Sequence, residues 1–415
     1  MNDLDRQLYV GTILKTIRKN KGITLSDLSK KCNLSIQYIS DIENGNKSSK
    51  SETLDMIFRS MNILFNFDVE VEKQVTHLFN RMVHAHICLN IKERTELIEK
   101  LTSHPDWEFS YAYPIIQLAK YMATIINFRD YTYDYQNNLC EQMFYIFSNS
   151  QKSFYLLLKG IYLYVDLKHY KKAKEELFRS ISYSPDGIIA GFTYNQLGIL
   201  ERYDCNYYLA MIYQNKAKEI LLKNNCFIRN LSVEISIGIL LGEQKYYKEM
   251  KEQFLRTYES ACILNDKETQ LNALYNIAFF AMYCKEYEDA IDYANKLIKM
   301  NCYLKDCYYI LAWVYVEKDD RINAGKYYRS LEKANKHDDY IIDCYEKCLK
   351  ARINNKDKTY YKTLVDLYKK LNKKGYSFDK VMVLEYIIEY CDHHELFEEG
   401  YGYQKELLKI LQKNH

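Results

Sequence analysis

The chain has 415 residues, 48% hydrophobic and 15% aromatic, with only 13 Gly and 3 Pro. That is ample material for a large core and poor material for a sheet-rich or loop-rich protein, so the class expected is all-α. Residues 1–60 hold ten basic and seven acidic side chains, the whole formal excess of +3, so a polyanion would meet the N-terminal end first.

Val10, Ile13, Leu14 and Ile17 recur at helical spacing and the run stops at Lys21-Gly22, which predicts a first helix. Thr24 and Asp27 make a T-x-x-D capping box that opens a second helix with Leu25 and Leu28 on its buried side, and Ser35 caps a third. On a helical wheel Ile39, Ile42 and Glu43 share one side of that third helix, while Gln37, Ser40 and Asp41 point away with Ile36 at the margin. Two helices joined by a tight turn, the second showing short hydrogen-bonding side chains near its N-terminus, suit insertion into a DNA major groove. Ser49 and Glu52 are expected to cap a fourth helix with Leu54, Ile57 and Phe58 facing inward, so that residues 1–62 form a module of four to five helices.

The stretch GITLSDLSKKCNLSIQYISDIENG, residues 22–45, resembles the helix-turn-helix of the lambda-repressor-like (XRE) family, in which spacing, caps and the Ile-Glu-x-Gly ending agree. The resemblance implies an internal ion pair between Arg18 and Glu43. It also implies base contacts to double-stranded operator DNA from Ile36, Gln37, Ser40 and Asp41, with phosphates held by Lys47, Ser49 and Lys50. Leu25 stands where the family often places a Gln that touches DNA, and the third helix carries no Arg or Lys. Gln37 suits adenine and Ile36 a thymine methyl, which points to an A·T-rich site.

Residues 62–72 change rhythm: Phe65, Phe67, Val69 and Val71 alternate with Asn66, Asp68, Glu70 and Glu72, the two-residue period of a half-buried strand. Two readings stay open for 63–72, a strand paired with its own copy in a second subunit or an extended linker. From residue 73 the chain repeats itself. Small residues at Gly160, Gly198, Gly238, Ala278 and Ala312 precede Ala173, Ala210, Met250, Ala290 and Ala324 by 12 or 13 positions, and Pro185 falls where a repeat should end.

This pattern resembles a degenerate tetratricopeptide repeat (TPR). Weaker units are placed at Ala85 with Leu97, Ala119 with Tyr131, Cys348 with Tyr360 and Ile388 with Gly400, giving about nine helix pairs over residues 73–415. A right-handed α-solenoid with a continuous concave groove is expected. By the TPR pattern Asn195, Ile199, Arg202 and Tyr203 would line that groove, with Tyr275, Phe279, Met282, Tyr283, Tyr309 and Trp313, and Asn272 and Asn276 on its margin. Asn amides suit a peptide backbone because each offers a donor and an acceptor, and aromatic walls bury side chains.

A lambda-repressor-like module followed by a TPR solenoid is similar to the RRNPP family, the cytoplasmic peptide-pheromone receptors of Gram-positive bacteria. The resemblance implies a homodimeric transcription regulator whose groove binds a short signalling peptide. The alternative is a regulator of the same build whose solenoid binds a protein partner. An enzyme is not expected, since no Gly-rich phosphate loop, HExxH or GxSxG occurs, and His84, His86, His393 and His394 are read as surface residues at helix ends. No cofactor or metal is expected either: the 12 Cys include no CxxC pair, and Cys344 with Cys348 reads as a core pair of reduced thiols. No early apolar run suits a signal peptide and the apolar stretch 274–284 is too short to span a bilayer, so a cytoplasmic protein without a membrane partner is expected.

Overall fold

The computed structural model of the protein describes residues 3–126, 138–334, 340–374 and 377–412. These form 22 α-helices and one 3-10 turn, and the chain divides into two compact units, Met1–Thr193 and Tyr194–His415.

The first unit opens with α1 (Asp3–Asn20), α2 (Leu25–Cys32), α3 (Ile36–Glu43) and α4 (Ser51–Ser60). Ile13, Leu14, Ile17, Leu28, Ile39, Ile57 and Phe58 are fully buried and make their common core. The expected caps are present on α2 and α3, but α4 departs from expectation. Its N-cap is Lys50, with no side-chain cap bond, because the Ser49 hydroxyl turns toward the Tyr38 hydroxyl at 3.4 Å.

The alternating segment is neither a ladder strand nor a free linker. Among the described residues only Asn66 pairs, in an isolated parallel bridge to Ser110, and residues 69–72 already belong to α5 (Val69–Ile87). The extended backbone stops there, although the alternation runs on to Glu72, because Asp68 caps the helix, accepting from the Glu70 amide at 2.9 Å. Phe65 is buried, stacking on Phe58 with ring centroids 4.2 Å apart. The rest of the unit holds α6 (Ile91–Ser103), α7 (Tyr113–Ile125), α8 (Leu139–Met143), α9 (Asn149–Val165), α10 (Tyr170–Tyr183) and the start of α11 (Ile188–Tyr203). Gly160 of α9 lets α10 approach closely, since a Cβ there would lie 2.7 Å from Leu177. Ala119 lies buried in α7, whereas its expected counterpart Tyr131 lies outside the described residues.

The α1 helix is clamped to the helices that follow the module. The Arg6 guanidinium donates to Glu72 at 2.6 Å and lies 3.8 Å from the Tyr111 ring centre, and the Tyr9 hydroxyl donates to the Tyr111 carbonyl at 2.7 Å. One turn further, Thr12 and Tyr145 share a hydroxyl contact of 2.5 Å. His86, read as a surface residue, is instead buried, with its ring edge-to-face against Phe154 and Phe192. It takes the inward face of α5 together with Met82 and Val83.

The second unit continues with α12 (Tyr207–Lys223), α13 (Phe227–Glu243), α14 (Tyr247–Ile263), α15 (Lys267–Tyr283), α16 (Tyr287–Lys299) and α17 (Leu304–Glu317). It ends with α18 (Arg321–Lys333), α19 (Tyr340–Ile353), α20 (Asp357–Lys374), α21 (Ser377–His393) and α22 (Phe397–Gln412). Five successive turns are closed alike. Cys205, Asn225, Lys245, Asn265 and Lys285, spaced 20 residues apart, all have positive φ. The next amide then bonds to the carbonyl five residues back, as in Tyr246 to Leu241 at 3.0 Å and Glu286 to Ala281 at 2.8 Å, which caps the helix end without glycine. The repeat here is therefore 40 residues long. Gly198, Gly238, Ala278 and Ala312 are buried with Ala210, Met250, Ala290 and Ala324, as the repeat pattern requires.

The concave side of this unit is not an open groove. Helix α21 crosses it: Glu385 accepts from Lys245 at 2.8 Å and from the Tyr283 hydroxyl at 2.7 Å, and Glu389 accepts from Lys285 at 2.7 Å. Phe378 packs on Phe280 and Tyr283, so the last repeat is brought back onto α15.

Candidate functional site

The N-terminal candidate is built on α2 and α3. Thr24 and Asp27 cap each other's amides at 3.1 and 3.4 Å, and hydrogen bonds from Thr24 hold the Asp27 carboxyl below its ordinary range. Asn33 turns the chain with φ 52°, and Ser35 then accepts from the Tyr38 amide at 3.1 Å, so α3 starts at a defined point and angle. Gly45, with φ 69°, ends it, and a Cβ there would lie 2.8 Å from the Leu8 backbone.

Inside, Arg18 donates to both oxygens of Glu43 at 2.6 and 2.8 Å and to the Ile23 carbonyl at 2.7 Å. This buried fork locks α1 to α3, and the ion pair implied by the family resemblance is present. Ile39, Ile42 and Glu43 are buried. Ile36 and Gln37 are exposed, while Ser40 and Asp41 are half-buried. The Gln37 amide donates to Asp41 at 2.9 Å, which fixes its rotamer and turns part of its hydrogen-bonding capacity toward solvent. Lys47 lies over the Tyr38 ring at 4.5 Å, Ser49 is half-buried beside it, and Lys50 is exposed at the start of α4. One surface thus shows polar α3 side chains flanked by two ammonium groups.

The second candidate is a cavity of about 190 Å³ in the second unit. Tyr275, Phe279 and Met282 of α15 and Tyr309 of α17 form one wall, as the repeat pattern places them on one face. Tyr345 of α19 with Met382 and Tyr386 of α21 form the other. Burial pushes the phenols of Tyr275, Tyr309, Tyr345 and Tyr386 up, so all four remain neutral donors. The Tyr345 hydroxyl is buried and has no hydrogen-bond partner among the described residues. Asp306, Asp379 and Glu346 reach the same cavity, against one ammonium, Lys305, which pairs with Glu346 at 2.8 Å.

The other residues expected in a groove lie elsewhere. The Asn195 side chain is buried, donating to Gln214 at 2.9 Å and accepting from Gln196 at 3.2 Å, so it lies within the helix packing rather than on a groove surface. Asn276 donates to the Asn272 carbonyl at 2.8 Å. Arg202 donates to Glu243 at 3.0 Å and lies 5.3 Å from the Tyr203 ring. Trp313 is buried and does not line the cavity; it stacks on Tyr309 and lies tilted against Tyr386. The α19 and α21 residues of the cavity were not singled out from the sequence. The available signal was the four-residue spacing of Met382 and Tyr386, which repeats that of Tyr275 and Phe279.

Fold and sites together define a helix-turn-helix protein whose module is followed by a helical solenoid. Residues 14–63 match the helix-turn-helix family. The chain is similar to the Rap protein solved with competence and sporulation factor, with TM-score 0.63 and 15% identity over 82% of this chain and 99% of that one. It is similar to the apo form of the quorum sensor NprR from B. thuringiensis, with TM-score 0.57 and 17% identity over 82% of this chain and 100% of that one. It is also similar to aspartyl phosphate phosphatase F from Bacillus subtilis, with TM-score 0.52 and 16% identity over 84% of this chain and 96% of that one. At such identities the likeness establishes the fold. No curated protein matches the sequence. Among the described residues, no helix is long and apolar enough to cross a membrane.

Proposed function

We propose that the protein is a cytoplasmic transcription regulator of the RRNPP type. It binds double-stranded operator DNA through α3 and is switched by a short signalling peptide held in the second unit. The observation that carries this reading is the pairing, in one chain, of a capped helix-turn-helix with an aromatic cavity at residues the repeat pattern puts on one face. The similarity to a Rap protein complexed with competence and sporulation factor and to a quorum sensor supports it.

The cavity is smaller than the roughly 300–1,000 Å³ that encloses a whole small ligand. It therefore suits one anchoring side chain of an extended peptide, and its aromatic walls favour an apolar one. Because α21 forms one wall, a peptide lodged there bears on the Glu385 and Glu389 contacts that hold the unit closed. A coupling of about 1–3 kcal/mol between closed and opened forms would be a useful switch.

The test has two arms. Gln37→Ala should lower discrimination among sites recovered by in vitro selection of duplex DNA by about 1–3 kcal/mol, while Lys50→Ala should weaken binding to all sequences and reduce the salt slope by about 1. Phe279→Ala and Tyr309→Ala should leave DNA affinity intact and abolish its response to a synthetic peptide library. A response that survives both changes would rule out the cavity as the receptor site.

A further inference from the structure

Arg6 stands in the first turn of α1, ahead of the helix-turn-helix, and borders two hollows. One is a cleft of about 380 Å³ lined by α1, by Lys47, Ser48 and Ser49 of the loop before α4, and by Tyr111. The other lies along α5 and includes Glu72. The guanidinium is only partly used. Its Nη1 donates to Glu72 at 2.6 Å and its centre lies 3.8 Å from the Tyr111 ring centre, whereas Nη2 is buried with no hydrogen-bond partner among the described residues. Leaving a buried donor unmatched is costly, and a guanidinium has enough N–H groups to serve two acceptors. The cleft beside it offers donors and no carboxylate. None of the described residues that line it is acidic, Lys47 is exposed, and α4 begins at Lys50 with no side chain capping its first amides.

A guanidinium, an ammonium and hydroxyls around one cleft suit an oxyanion. The loop that carries Lys47, Ser48 and Ser49 follows α3 directly, so the oxyanion within its reach is a backbone phosphate of the duplex that α3 reads. We infer that Arg6 is a further DNA-backbone contact outside the helix-turn-helix, and that Glu72 holds it in the free protein as an internal stand-in for a phosphate. Binding then exchanges one oxyanion for another at the same half-buried guanidinium, so its charge is never left alone. Glu72 belongs to α5 and Tyr111 to the turn before α7, so these later helices compete for a group that the operator backbone also uses. The inference rests on the DNA-binding reading and adds to it a contact that the helices after the module control.

The experiment is fluorescence anisotropy of the full chain on a labelled alternating A·T duplex across a series of salt concentrations. Arg6→Ala should weaken binding about tenfold and reduce the slope of log affinity against log salt by about 0.9, the share of one phosphate. Arg6→Lys keeps the charge and should keep most of that slope. Glu72→Gln breaks the same ion pair but frees the guanidinium, so it should tighten binding severalfold. Each variant retains the Tyr9 bond to the Tyr111 carbonyl, which continues to hold the module in place. If the ion pair served only to fix the module, Arg6→Ala and Glu72→Gln would shift affinity in the same direction. That result, or a salt slope unchanged by Arg6→Ala, would overturn the inference while leaving the DNA-reading module intact. A wild type that fails to bind the duplex would overturn both.

Discussion

Glu243 illustrates how a single buried side chain sets a pH response. It is buried, with one oxygen accepting from Arg202 at 3.0 Å and the other without a hydrogen-bond partner among the described residues. Burial, opposed by Arg202 and reinforced by the negative charge of Asp379, pushes its pKa up to about 7. A carboxyl raised in the folded state binds protons that the unfolded chain releases. Its contribution to stability is therefore complete below the unfolded value and is lost as pH rises toward about 7. In thermal melts between about pH 5 and pH 8, Glu243→Gln should gain on the wild type as pH rises, because the amide has no charge to bury. Parallel curves for the two proteins would show that the carboxylate is adequately solvated or paired. The Arg18–Glu43 contact differs in geometry, a buried bidentate fork in which both carboxylate oxygens are bonded.

At the scale of elements, small residues decide how near two helices lie. A Cβ at Gly238 of α13 would stand 2.5 Å from the ring of Phe254 on α14, and that ring is fully buried with no room to turn aside. Gly238→Val should therefore cost about 1–3 kcal/mol, read from the urea midpoint. Gly402 on the exposed side of α22 has nothing within 4 Å, so Gly402→Ala should instead stabilise the chain slightly, by up to about 1 kcal/mol. If both substitutions had the same sign, close packing would not be what separates them. Helix ends follow a comparable logic. Lys245, Asn265 and Lys285 accept positive φ because the bonds they close satisfy carbonyls that would otherwise be orphaned.

For the molecule as a whole, the junction after the helix-turn-helix matters most. Residues 61–68 have the appearance of a linker, yet Phe65 is buried, Asn66 bonds to the Phe109 carbonyl at 2.8 Å, and Arg6 and Tyr9 tie α1 to Glu72 and Tyr111. A backbone held in this way is a poor protease substrate. Limited chymotrypsin digestion should spare this segment, and Arg6→Ala combined with Tyr9→Phe should speed cleavage there. Rapid cleavage of the wild type between the module and α5 would mean that the clamp does not persist in solution. With the clamp in place, the orientation of α3 follows the helices on which the module rests.

Local chemistry was legible in the order of residues. The Thr24–Asp27 box, the Ser35 cap and the small positions of the repeat depend on neighbours a few residues away or on a fixed period and stand where expected, whereas the Arg18–Glu43 pair, 25 residues apart, was implied only by the family resemblance. The same reasoning placed Tyr275, Phe279, Met282 and Tyr309 on one face, where they line the cavity. It failed where a face meets something distant. Periodicity tells which side of a helix is covered, not by what. The return of α21 toward α15, through contacts up to 140 residues apart, narrowed an expected groove to a partly open cavity. Asn195 was lost to Gln214 for a related reason, since an amide on an inward face bonds to whichever group reaches it first, and only packing decides which one arrives.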